Sequence, residues 1–95
     1  MERVYLVCYD ICDQKRWRRI YKTMKGYGAW LQLSVFQCRL NKEELLKMTD
    51  ALTEIMNRQE DHLLIIDIGP AENISLRVES YGKPFQPIVQ GAVVI

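Results

Sequence analysis

The chain holds a single histidine among its 95 residues, His62, and no Cys or Ser lies close to it in sequence to complete a catalytic set. Cysteine is almost as sparse. Cys8, Cys12 and Cys38 are odd in number and lack C-x-x-C spacing, so buried reduced thiols are expected in place of a disulfide framework or a zinc site. There is no G-x-x-x-x-G-K and no G-x-G-x-x-G, which removes the main support for nucleotide hydrolysis and dinucleotide binding. No apolar stretch approaches the roughly 20 residues that span a bilayer. The chain opens Met-Glu-Arg and passes straight into a strand-like run, so no secretory leader and a soluble, cytosolic setting are expected. An excess of charge of one sign is also missing: 13 Lys+Arg face 12 Asp+Glu, a net +1. Such a balance ordinarily argues against a polyanion partner.

The balance conceals an asymmetry. Residues 1–42 carry +6 and residues 43–95 carry −5, a basic half and an acidic half within one expected domain, 1–95. Asymmetry of this kind directs attention to a nucleic-acid face. A chain of this size buries only roughly 60–65% of its unfolded surface, so support from a partner subunit is expected.

Arg3 to Tyr9 (RVYLVCY) reads as an interior strand, apolar on both faces, with Asp10 closing it. Asp13 is placed to cap a helix in which Trp17, Ile20, Tyr21 and Met24 recur at i, i+3, i+4, i+7, and Gly26 and Gly28 end it. Ala29 to Leu40 is too long for one ordinary strand and predicts a kinked strand or tight hairpin breaking near Gln32 to Ser34. Asn41 with Glu44 forms a capping-box pair, and Leu40 with Leu45 a hydrophobic staple. Leu45, Met48, Thr49, Leu52, Ile55 and Met56 then mark a second helix to about Asn57. His62 to Ile68 reads as a buried strand stopped by Gly69-Pro70. Beyond this core, about 1–69, lie a short strand at Ile74 to Val78, a turn-rich arm from Gly82 to Pro87 and a terminal β-run, Ala92 to Ile95. The order matches a split βαβ plan, an α+β fold with two helices on one face of an antiparallel sheet. Tyr5, Val7 and Tyr9, with either parity of the LLII run, are expected to make the other face apolar. That predicts a homodimer packed sheet to sheet, with the terminal run adding to the partner's edge.

Asp10 stands where the chain leaves a strand for a helix, a usual place for a carboxylate that works on a ligand. Turn formation would explain it alone, with Asp13 as the cap. The helix beyond it carries Lys15, Arg16, Arg18, Arg19, Lys22 and Lys25 with no acid between them. Surface helices normally interleave signs, and a phosphate backbone would relieve this repulsion. A carboxylate beside a phosphate track suits Mg²⁺, and a two-fold axis near the strand end would bring two copies of Asp10 together. Lys25-Gly26-Tyr27-Gly28 echoes the start of an RNA-recognition signature, but it falls at a helix end and lacks the later aromatics.

Tyr9-Asp10-Ile11, the Lys15-Arg16 opening of a basic helix, and Tyr27-Gly28 followed by Gln32-Leu33-Ser34-Val35-Phe36 resemble, in this order and spacing, the CRISPR-associated protein 2 family, over roughly residues 3 to 69. The resemblance implies a ferredoxin-like βαββαβ homodimer of bacteria and archaea with a C-terminal edge strand. It further implies a metal-dependent (Mg²⁺ or Mn²⁺) endonuclease acting on single-stranded RNA or double-stranded DNA. It also implies a bridging role between copies of the integrase, CRISPR-associated protein 1, during spacer acquisition. Asp10 falls on the family's metal-binding catalytic aspartate and Arg16 on the basic position after it. Tyr9, Ser34 and Phe36 fall on elements near the active cleft. Many members carry Glu after Ser-Val-Phe, where this chain has Gln37.

Two readings follow. In one, paired Asp10 residues hold the metal while Lys15, Arg16, Arg18, Arg19 and Lys22 position a strand for hydrolysis. In the other, the same basic face holds duplex DNA and the dimer is a scaffold with Asp10 structural. A small-molecule regulatory domain of the same fold would call for a glycine-rich ligand loop and no continuous basic helix.

Overall fold

The computed structural model describes residues 1–82. Its elements run β1 (Arg3–Asp10), α1 (Gln14–Lys25), β2 (Gly28–Gln32), β3 (Val35–Leu40), α2 (Lys42–Ile55) and β4 (His62–Pro70), followed by a single 3₁₀ turn, Ala71–Asn73. The strands form one antiparallel sheet in the order β2-β3-β1-β4. With both helices on one face, this is a ferredoxin-like α+β sandwich.

Local chemistry sets the boundaries. Asp13 caps α1, its side chain accepting from the Arg16 N–H, and Gly26 closes the helix. Asn41 and Glu44 form the reciprocal capping box at the start of α2. The hairpin break falls at Leu33-Ser34, where Leu33 adopts φ +33°, a left-handed conformation uncommon for a branched residue. The Trp30 indole N–H donates to the Leu33 carbonyl at 2.9 Å across this turn. At Gly28 the backbone of β2 passes so close to β3 that a Cβ would lie 2.5 Å from the Cys38 Sγ and 2.5 Å from the Gln37 carbonyl oxygen.

The core lies between sheet and helices. Tyr5, Val7 and Tyr9 of β1 and Phe36, Cys38 and Leu40 of β3 meet Trp17, Ile20, Tyr21 and Met24 of α1 and Met48 and Leu52 of α2. Aromatic packing dominates the α1 side: Trp17 stacks on Tyr21 at 5.4 Å, and Tyr21 meets Phe36 edge-on at 5.7 Å.

Several expectations are corrected. Tyr5, Val7 and Tyr9 face the helices, so β1 gives Leu6, Cys8 and Asp10 to the open face. A run apolar on both sides carries no signal for its parity, and the bulky rings go where the helices leave depth. β4 is an edge strand with alternating burial: Leu63 and Ile65 pack on the core, while Leu64 and Ile66 remain 46% and 39% exposed on the open face. Nor does Gly69-Pro70 stop it. Gly69 takes φ +140° at an irregularity beside Val4, and Pro70, which lacks an N–H, still pairs with Arg3 because an edge strand needs only one side bonded. Residues 74–78 form no strand. Of the three thiols only Cys38 is buried, and burial pushes it up to about 11; Cys8 is half-buried and Cys12 exposed. The terminal β-run and all but the first residue of the 82–87 arm lie outside the described residues.

Candidate active site at the end of the first strand

Antiparallel pairing brings five segments to one end of the sandwich: the end of β1, the β2–β3 turn, the start of α1, the turn after α2 and the start of β4. The Tyr9 N–H donates to the Ser34 carbonyl at 3.1 Å, and the Trp17 indole N–H donates to the Ser34 Oγ at 2.9 Å. Ser34 therefore ties strand, hairpin and helix together. Asp10, the next residue, points to the opposite face from Tyr9 and is exposed; its carboxylate makes no hydrogen bond or ion pair among the described residues. Its register partner across the sheet is His62, likewise exposed on the open face. Sequence distance hid that juxtaposition, since only the strand register brings 10 and 62 together.

Tyr9 and Phe36 lie on the helix side of the sheet. Both are buried, their rings stacked at 6.3 Å, and they brace the strand end from the helix side. Burial also raises the Tyr9 phenol well above the ordinary tyrosine value, with the neighbouring Tyr21 adding to the effect. The Tyr9 hydroxyl has no hydrogen-bond partner among the described residues.

The basic residues of α1 divide into two groups. Lys15, Arg18, Arg19 and Lys22 are exposed at i, i+3, i+4 and i+7 and form one stripe roughly 10 Å long. Lys25 extends it, lying 5.6 Å above the Tyr21 ring. Arg16 lies off the stripe, on the far flank of the buried face, with its Nε 2.8 Å from Asp61 Oδ2 and its Nη2 3.1 Å from Glu60 Oε1. The Asp61 side chain is fully buried. The Arg16 guanidinium, helped by the N–H groups of Cys12 and Asn57, holds the Asp61 carboxyl down to about 2 against the opposing effect of burial. Reciprocally, Asp61 raises the guanidinium above its ordinary range. No motif in the sequence singles out Asp61. The one available hint was an acid immediately before an apolar strand.

With this geometry the family can be assigned. Residues 2–73 match the family described as CRISPR associated protein Cas2. The chain belongs to this family. It is 57% identical over 95 residues to the CRISPR-associated endoribonuclease Cas2 of Geobacter sulfurreducens, covering 100% of both chains. It is 51% identical to the CRISPR-associated endoribonuclease Cas2 1 of Rhodospirillum rubrum, over 99% of this chain and 92% of the relative. Among solved structures, Streptococcus pyogenes Cas2 at pH 6.5 superposes with a TM-score of 0.71 at 29% identity, covering 83% of this chain and 99% of that one. The hypothetical protein TT1823 from Thermus thermophilus gives 0.72 at 30% identity, covering 87% and 94%.

For a Cas2-family chain the question is whether the donors present fit a divalent cation. Among the described residues no three His, Cys, Asp or Glu side chains converge to hold a metal ion. One exposed carboxylate at Asp10 is a donor set that suits a hard cation which fills its remaining positions with water and phosphate oxygens. Gln37 does not touch this set within one chain. It pairs with Leu6, four residues down β1 from Asp10, or roughly 13 Å along the strand. No helix of the described residues is long and apolar enough to cross a membrane.

Proposed function

We propose that this chain works as a homodimeric, divalent-cation-dependent endonuclease on phosphodiester bonds of single-stranded RNA or double-stranded DNA, serving spacer acquisition in the prokaryotic cytoplasm beside the CRISPR-associated protein 1 integrase. The observation that carries the reading is the unpaired Asp10 carboxylate at the end of β1, on the open face, with the cationic stripe of α1 following it in the chain. Two chains packed through Leu6, Leu64 and Ile66 on the open face would bury the exposed apolar side chains of β4 and contribute a second Asp10. The two carboxylates would hold Mg²⁺ or Mn²⁺. When bound, such an ion neutralises phosphate charge and lowers the pKa of a bound water. Lys15, Arg18, Arg19 and Lys22 would hold phosphates where the same strand continues over the side of α1 turned away from the sheet. Ser34, through its bonds to Tyr9 and Trp17, keeps the strand end and the helix start in fixed relation.

A scaffold reading shares the dimer and the stripe and leaves Asp10 structural; the single carboxylate that each chain supplies favours it, because phosphate binding alone needs no metal. The dimer requirement is tested with Leu64→Glu plus Ile66→Glu. We expect a monomer in sedimentation at micromolar concentration and loss of Mg²⁺-dependent cleavage. A monomer that cleaves at the wild-type rate refutes the two-carboxylate site.

A further inference from the structure

Asp61 is the one buried charged residue among those described, and it joins three segments around Asp10. Its Oδ1 accepts from the Cys12 N–H at 2.9 Å, in the turn directly after Asp10, and from Arg16 Nη2 at 3.2 Å. Its Oδ2 accepts from the Asn57 N–H at 2.8 Å and from Arg16 Nε at 2.8 Å. Four donors fill the lone-pair sites of the carboxylate, and the guanidinium engages it with two nitrogens. The Cys12 Sγ adds a bond to the Glu60 carbonyl at 2.9 Å, closing the same junction from the other side. The next residue after Asp61 is His62, the register partner of Asp10. Both strand ends that form the candidate site therefore hang from one carboxylate. Arg16 could reach a phosphate only by leaving that buried charge uncompensated, which is costly, and its helix position turns it away from the Lys15, Arg18, Arg19, Lys22 stripe.

We propose that Asp61 is a positioning residue that fixes the Asp10 turn against the start of β4, and that it keeps Arg16 as its counter-ion, outside the phosphate-binding stripe. The positioning role rests on the reading of Asp10 as the working carboxylate. It departs from the expectation that Arg16 contacts nucleic acid.

The test uses the full chain and a short DNA duplex. Arg16→Ala alone leaves a buried charge and can unfold the protein, so the pair is removed together as Arg16→Gln with Asp61→Asn. Arg18→Ala and Arg19→Ala should each lower the slope of log affinity against log salt by about 1. The double variant should leave the slope at the wild-type value; a loss of about 1 places Arg16 on phosphate and overturns the proposal. In Asp61→Asn the amide of Cys12 should exchange with solvent at least roughly tenfold faster while the amide of Val7 is unchanged, as expected for local opening. Equal protection of Cys12 in both proteins also overturns it. Cleavage gives the third measurement: kcat should fall roughly 10–100-fold in Asp61→Asn with KM within about twofold, the mark of misplacement and not of lost binding. A raised KM with kcat unchanged contradicts positioning. If the wild-type chain does not cleave, the nuclease reading fails, and the salt slope and amide exchange still decide whether Asp61 orders the turn and withholds Arg16.

Discussion

Replacing Tyr9 with Phe should stabilise this protein. The ring is 5% exposed and wedged between Trp17 and Phe36, with ring centroids 6.4 and 6.3 Å away. Its hydroxyl is buried and finds no hydrogen-bond partner among the described residues. Holding a hydroxyl in an apolar site without a partner costs about 1–3 kcal/mol, and the substitution removes it while leaving the ring contacts in place. A net gain of about 1–2 kcal/mol is expected, equivalent to a rise in Tm of roughly 4–8 °C per kcal/mol for a chain of this size. Urea unfolding at pH 7 and equal protein concentration measures it, with an unchanged m-value as the control for two-state behaviour. Alkaline pH supplies a second readout. The folded phenol titrates above the ordinary value, so stability does not vary with pH through Tyr9 below about pH 10 and falls as pH rises from there towards the higher folded value, where only the unfolded phenol ionises freely. Tyr9→Phe should therefore flatten part of the stability loss above pH 10. Destabilisation of about 1 kcal/mol or more at pH 7 would mean that the hydroxyl has a partner worth more than its desolvation, contrary to its orphaned position.

Other consequences follow from the same geometry. Asp61 is held at about 2, below the ordinary aspartate value of about 3.9, so its contribution to stability is complete above pH 4 and is lost as pH falls towards 2. The urea midpoint should drop through that window in the wild type and less steeply in Asp61→Asn; parallel curves would contradict the clamp. Gly28→Ala drives a methyl to 2.5 Å from a backbone carbonyl that cannot move without breaking the β2–β3 ladder, and should cost about 1–3 kcal/mol in denaturant unfolding. An unchanged midpoint would place the β2–β3 register in error.

Features written in local chemistry were legible from the sequence. The Asp13 cap, the Asn41–Glu44 box and the break in the 29–40 run depend on residues a few positions apart, and each appears where its pattern put it. The apolar stripe of α1 was equally plain, because Trp17, Ile20, Tyr21 and Met24 repeat at the helical period. What the sequence withheld were pairings across long separations. The parity of β1 could not be read from a strand apolar on both sides. The edge position of β4 is fixed by its pairing with β1, and HLLIIDI looks the same at an edge as in an interior. Arg16 was indistinguishable from its basic neighbours until Asp61, 45 residues away, occupied it. Asp10 was legible as the end of a strand, but its pairing with His62 required the register.

Under the proposed function Asp10 acts on the phosphodiester while the α1 stripe only holds the nucleic acid. Cleavage of single-stranded RNA and duplex DNA by rigorously purified wild type and Asp10→Asn, across a Mg²⁺ titration, tests this most directly, with binding measured on the same samples. Asp10→Asn should bind duplex with the wild-type salt slope and lose Mg²⁺-dependent cleavage. Undiminished cleavage by Asp10→Asn would contradict it.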